Sequence, residues 1–84
     1  MEINYSKIYF IGIGGIGMSS IALYYLNNEK LVGGYDQTKT DLTLSLSKNG
    51  AQIHYESNIS NIPYEFQDKF NTLIIYTPAI SKEN

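Results

Sequence analysis

Three observations in this 84-residue sequence predict an α/β domain built on a parallel sheet of about four strands. Apolar, β-prone runs alternate with segments of helical spacing in the order β-α-β-α-β-(α)-β. The connections are long enough for the right-handed crossovers that parallel strands require. A glycine cluster, Gly12-Ile13-Gly14-Gly15-Ile16-Gly17-Met18, falls where the first strand gives way to the first helix. A three-layer, Rossmann-like domain spanning residues 1–84 is the expected architecture.

The first strand is read over residues 7–12, Lys-Ile-Tyr-Phe-Ile-Gly, a run of β-formers. After the glycines, Met18, Ile21, Ala22, Tyr25 and Leu26 recur at helical spacing and are expected to face the sheet. Asn27-Asn28 should end that helix, since Asn tolerates the left-handed conformation of a helix stop. A second strand is expected over residues 31–35. Its Gly33-Gly34 pair weakens strand propensity and points to a close approach of other groups to the backbone. Thr38 or Thr40 is placed to cap a second helix, with Leu42 and Leu46 on one face and Lys48 and Gly50 as stop signals. Residues 51–55 read as a short third strand. Residues 59–70 are ambiguous, because Pro63 interrupts them while Ile62, Phe66 and Phe70 are spaced like a helical face. Residues 71–77 form the clearest fourth strand, ended by Pro78. A full doubly wound domain usually has five or six strands, so a fragment of a larger chain is expected.

Composition narrows the function classes. At 43% hydrophobic and 17% charged residues the chain reads as globular, and at this length it buries only roughly 60% of its unfolded surface. A formal net charge of −2 argues against nucleic acid, which calls for a basic face. No apolar run approaches the ~18 residues of a membrane span, and no signal-peptide pattern opens the sequence. The absence of cysteine excludes disulfides and thiolate metal sites and is compatible with a cytoplasmic location. With His54 as the single histidine, no metal site is expected.

Gly12, Gly14 and Gly17 fit the G-x-G-x-x-G pattern of a phosphate-cradling strand-turn-helix. Backbone without Cβ atoms lets an anion approach its N–H groups, and the helix that follows aims its unpaired N–H groups and positive dipole end at the same place. The plainer reading is that these glycines serve tight helix–strand packing alone. Asp36, at the end of the second strand, lies near the ~20-residue offset of a carboxylate that accepts from ribose hydroxyls. It could equally be a solvated loop acid or a cap on the next helix. Ser19 and Ser20 fall in the first helical turn, either as hydroxyls for a phosphate or as small packing residues. Thr77-Pro78-Ala79-Ile80, beyond the fourth strand, would lie beside the glycine loop if the first and fourth strands are neighbours, or simply terminate a buried strand. His54 reads as a structural or surface residue, and the eight tyrosines as core-edge residues with a polar tip. There is no G-x-x-x-x-G-K-[ST] loop, no Ser/His/Asp arrangement and no convincing pair of carboxylates. The residues look able to bind, not to catalyse.

The run from Ile8 to Ser19, Ile-Tyr-Phe-Ile-Gly-Ile-Gly-Gly-Ile-Gly-Met-Ser, resembles the opening of the UDP-N-acetylmuramate–L-alanine ligases, within the Mur ligase family of peptidoglycan synthesis. Gly34-Tyr35-Asp36 resembles the family's second-strand ending, and Tyr76-Thr77-Pro78-Ala79-Ile80 its fourth. The resemblance covers essentially the whole chain. It implies a bacterial cell-wall enzyme that forms an amide bond with ATP and Mg2+ through an acyl phosphate. Its N-terminal domain, Rossmann-like, binds UDP-N-acetylmuramate, while ATP-binding and C-terminal domains, absent here, handle the chemistry. By the same resemblance Gly14, Gly15, Ile16 and Gly17 contact the diphosphate, with Gly12, Met18 and Ser19 in the same loop. Asp36 contacts the uridine, and Thr77, Pro78, Ala79 and Ile80 line the cleft. The 84 residues alone are expected to be inactive. Two departures stand out: Asn27-Asn28 replaces a glycine common at the end of the first helix, and Ser57 falls where many members carry a histidine. Two other readings fit the generic features, a NAD(P)-binding domain of a dehydrogenase or redox sensor, and a stand-alone module that pairs its open sheet edge with another chain.

Overall fold

The computed structural model describes residues 5–57 and 62–76. Four strands, β1 (Lys7–Ile11), β2 (Leu31–Tyr35), β3 (Gln52–His54) and β4 (Thr72–Ile75), form one parallel sheet in the order β3-β2-β1-β4. Helices α1 (Ile16–Asn27) and α2 (Asp41–Lys48) make the first two crossovers, and a short 3-10 helix, Tyr64–Gln67, lies on the third. Strand order thus grows outward from β1 to β3 and then returns to β1's other side. The reversal makes the gap between the carboxyl ends of β1 and β4 the topological switch point, where open α/β sheets place their ligands.

Alternation along the strands divides the residues between two layers. Ile8, Phe10 and Val32 are fully buried on the helix side, with Ile13, Met18, Ala22, Tyr25, Leu46 and Ala51 completing that core. On the opposite side Tyr9 is paired in register with Gly33 and Ile74, and the rings of Tyr9 and Phe66 meet with centroids 5.7 Å apart. The Gly33-Gly34 pair serves both layers. A Cβ on Gly33 would stand 2.6 Å from the Phe66 ring, and one on Gly34 would stand 2.7 Å from the Phe10 carbonyl and 3.0 Å from Ile13. The close approach expected at these two glycines is therefore real, and it occurs on both faces.

The helices differ from their sequence reading in which residues they bury. In α1 the buried positions are Met18, Ser19, Ala22 and Tyr25, whereas Ile21 is 41% exposed. In α2 they are Thr43 and Leu46, and Leu42 stays exposed. The reason in α2 is its cap. Thr40 is the N-cap and Thr43 answers it: the Thr43 amide donates to Thr40 Oγ1 (3.2 Å) and the Thr40 amide to Thr43 Oγ1 (2.9 Å), a reciprocal capping box that turns Thr43 inward. Of the residues with helical spacing in the ambiguous segment 59–70, Phe66 is buried and Phe70 is 81% exposed, and a short 3-10 helix over Tyr64–Gln67 forms there. Strands β1, β3 and β4 are shorter than read by one or two residues at their ends, the usual uncertainty of such limits.

Both helices stop in the same way. At the end of α2 the Gly50 amide donates to Ser47 and the Ala51 amide to Leu46, with Gly50 at φ 110°. At the end of α1 the Glu29 amide donates to Leu26 and the Lys30 amide to Tyr25, and here the left-handed residue is Glu29, at φ 64°. The sequence reading assigned that conformation to Asn27-Asn28; Asn28 instead is the C-cap at φ −101°. The motif needs its left-handed residue one position past the cap, and that position holds a glutamate. Glu29→Gly is expected to stabilise the chain by about 1 kcal/mol, seen as a melting temperature roughly 4–8 °C higher in a thermal scan.

On the second face the Tyr9 hydroxyl bonds to His54 Nε2, and His54 Nδ1 to the Glu56 carbonyl at 2.9 Å. A carbonyl only accepts, so the Nδ1 nitrogen carries the proton and Nε2 accepts from Tyr9. Burial pushes the Tyr9 phenol up to about 12, with the neighbouring Tyr35 adding to the shift. The folded state therefore holds Tyr9 neutral over a range where the unfolded chain ionises it. Tyr9's contribution is complete below the unfolded value of 10.0 and is lost as pH rises towards about 12, at most about 2.7 kcal/mol. Urea midpoints measured from pH 8 to 12 should stay level to about pH 10 and then fall, and Tyr9→Phe should flatten that fall.

Candidate functional site

The path of the glycine loop follows from where its amides go. Gly12 turns at φ 87°, and its amide and that of Ile13 both donate to the Tyr35 carbonyl, at 2.7 and 3.1 Å. The Gly14 amide donates to Asp36 Oδ2 at 2.8 Å, and the Gly15 amide returns to the Gly12 carbonyl at 3.0 Å. Helix α1 then begins: the Gly15 carbonyl accepts from Ser19, while Gly15, as N-cap, has no side chain to offer the first turn. The amides of Ile16, Gly17 and Met18 have no partner among the described residues. No acidic side chain occupies that turn. Three unpaired N–H groups at the positive end of a helix of 12 residues make a place where an anion is favoured.

An open cleft of about 530 Å³ lies there, lined by Gly12, Gly15, Ile16, Gly17, Met18, Ile21 and Asp36. Among the described residues no lysine lines it, and the chain has no arginine. Its attraction for an anion comes from backbone dipoles. Ile16, 83% exposed, and Ile21 give it an apolar rim. Asp36 closes one side, its Oδ1 accepting from the Thr38 amide at 2.9 Å while Oδ2 holds Gly14.

The four loop glycines separate into two kinds. Gly12 is needed for its positive φ, and a Cβ on Gly14 would stand 2.8 Å from both Asp36 Oδ2 and Thr43 Cγ2. Gly15 has room for a Cβ at ordinary contact distances, and a Cβ on Gly17 would meet nothing within 4 Å. Backbone conformation accounts for Gly12 and packing for Gly14, but among the described residues neither accounts for Gly15 and Gly17, which line the cleft with Gly12.

Of the residues expected at the site, Gly12, Gly15, Ile16, Gly17, Met18 and Asp36 line the cleft. Gly14 sits behind it. Ser19 is buried on the sheet side of α1, its hydroxyl donating to the Ile16 carbonyl at 2.9 Å, so the structure does not bring it to the cleft. Ser20 is exposed and makes a similar bond at 3.3 Å. Thr77, Pro78, Ala79 and Ile80 lie outside the described residues. Ile21 was missed as a lining residue because its spacing read as core. His54 proves structural, clasping Tyr9 on the face away from α1. Asp36 does not cap α2; Thr40 does. Among the described residues no group of three or more metal-ligating side chains converges, and no helix is long and apolar enough to cross a membrane.

The model of the Mur ligase family, catalytic domain, matches residues 7–84. The chain belongs to the Mur ligase family. Its relatives include the UDP-N-acetylmuramate–L-alanine ligase of Parabacteroides distasonis, 48% identical over 85 residues that cover 100% of this chain and 18% of that protein. The enzymes of the same name from Phocaeicola vulgatus and Flavobacterium johnsoniae are 49% and 51% identical, over 95% and 88% of this chain and 18% and 16% of theirs. The chain therefore spans less than a fifth of the length of these relatives and corresponds to a fragment of them.

Gly17 offers a direct check of the division among the glycines. Gly17→Ala adds a methyl to open space at a helical position and should raise stability by up to about 1 kcal/mol in urea unfolding. A loss of stability would mean that packing does constrain Gly17.

Proposed function

We propose that this chain is the segment of a UDP-N-acetylmuramate–L-alanine ligase that binds the UDP end of UDP-N-acetylmuramate, and that the diphosphate lies against the Ile16, Gly17 and Met18 amides. The observation that carries the reading is that Gly15 and Gly17 line the cleft while no contact among the described residues requires their side chains to be missing. A ligand closely applied to the backbone supplies the requirement, and the uncapped start of α1 supplies the attraction. The relatives' names support a UDP-sugar as that ligand. A UDP-sugar brings an anionic diphosphate, and the apolar rim of Ile16 and Ile21 leaves hydrogen bonding to the backbone and to Asp36.

In this proposal the chain holds the substrate's handle. Amide formation with ATP and Mg2+ belongs to parts of the parent protein beyond these residues, and the 84 residues alone are inactive. Binding far from the reacting carboxylate still serves the chemistry, because it orients the substrate for a step carried out elsewhere. Asp36 keeps spare capacity for the uridine. Each carboxylate oxygen already accepts one backbone N–H, and a carboxylate offers about four lone-pair sites.

Calorimetric titration of the chain tests the reading. UDP and UDP-N-acetylmuramate should bind and NAD should not; tight NAD binding without a response to UDP would overturn it in favour of a dinucleotide domain. Gly15→Val should abolish UDP binding while the thermal unfolding transition remains cooperative. Undiminished binding by that variant would remove the loop from the site.

A further inference from the structure

Behind Gly14, on the side away from the cleft, stands a residue that the glycine pattern gives no reason to notice. Thr43 of α2 is fully buried, and its Cγ2 methyl lies 2.8 Å from where a Gly14 Cβ would be. Its hydroxyl is used to capacity: it accepts from the Thr40 amide and from the Tyr55 hydroxyl, each at 2.9 Å, and donates to the Thr40 carbonyl at 2.9 Å. A hydroxyl has one proton and two lone pairs, so all three are engaged. Rotating the Thr43 side chain would break three hydrogen bonds at once. The methyl is therefore fixed against the loop. Tyr55, which follows β3, thus reaches the glycine loop through Thr43.

We infer that Thr43 is a positioning residue of the cleft: its locked methyl backs Gly14 while Asp36 holds the Gly14 amide from the side, and the two together set the direction of the three free amides that follow. The effect on ligand rests on the proposed function, but the bracing of the loop does not. Thr43 is not among the cleft's lining residues, and its methyl faces the loop at Gly14.

Thr43→Ser separates the methyl from the hydroxyl, because serine keeps the bonds to Thr40 and Tyr55. In the 84-residue chain, hydrogen exchange followed by NMR should show the Gly14 amide exchanging about tenfold faster in this variant, with the Ile8 and Val32 amides unchanged. UDP should bind roughly fivefold more weakly. Coupling supplies a sharper readout: Gly14→Ala should weaken UDP binding by collision with the methyl, and adding Thr43→Ser should restore part of it. A purely structural Thr43 would make the two losses add. Should Thr43→Ser fail to fold, Tyr55→Phe, which frees the hydroxyl from one partner, should move Gly14 exchange in the same direction. Wild-type exchange at Gly14 in the folded variants overturns the inference. If the unaltered chain ignores UDP while exchange changes as expected, the ligand assignment falls and the brace stands.

Discussion

The hydrogen bond from the Gly14 amide to the Asp36 carboxylate is the constraint around which the carboxyl edge of the sheet is organised. Together with the two bonds to the Tyr35 carbonyl, it sends three consecutive loop amides to the last residue of β2 and the residue that follows it. A charged acceptor makes such a bond stronger than a neutral one. Gly12 and Ile13 are committed to the end of β2, Gly14 to Asp36 and Gly15 to Gly12, and among the described residues the next three amides find no acceptor before the helical pattern takes over at Ser19. As the first turn of α1, these amides lack intrahelical partners in any case, and the helix fixes their mutual geometry. The ties of the loop fix where that turn stands relative to the sheet.

Much of this arrangement was legible in the sequence, because it depends on local rules. The alternation of apolar runs and helical spacing gave the four strands, the two helices and their parallel order. Thr40, one of two candidate caps, and Gly50 marked the ends of α2 through chemistry that acts within a few residues. The glycine pattern gave the loop. What was not legible depends on contacts between elements. Ile21 and Ser19 exchange their expected roles in α1 because the cleft opens beside the helix and leaves its Ile21 side uncovered. Thr43 replaces Leu42 on the buried side of α2, since the capping box fixes its orientation and Gly14 leaves room for its methyl. The left-handed Glu29 escaped because a glutamate gives no signal for a conformation that glycine or asparagine would have announced.

The second face of the sheet shows a different way of using glycine. Gly33 leaves a floor on which the Phe66 ring rests, and Tyr9 extends beside it to His54 across the intervening strand β2. A side chain at position 33 would block the ring of Phe66. Phe66 thus anchors the 3-10 helix, the one element that forms among the described residues of the segment the sequence left ambiguous. His54, the sole histidine, is spent on this clasp and on holding the Glu56 carbonyl where the chain leaves β3.

Asp36 brings the two uses of the loop together. As an acceptor of two backbone N–H groups it is a structural residue, and as a wall of the cleft it is open to a ligand. These roles do not compete, because a carboxylate accepts from several donors at once, and the bonds to Gly14 and Thr38 fix its plane. An acid held in this way costs nothing to reorganise when a hydroxyl or base N–H arrives, in contrast to a free surface aspartate that must first be ordered. The same charge would repel a phosphate placed beside it. On the proposed reading, a diphosphate on the Ile16–Met18 amides with a neutral, donor-bearing nucleoside toward Asp36 gives each end of the cleft a ligand group of matching character.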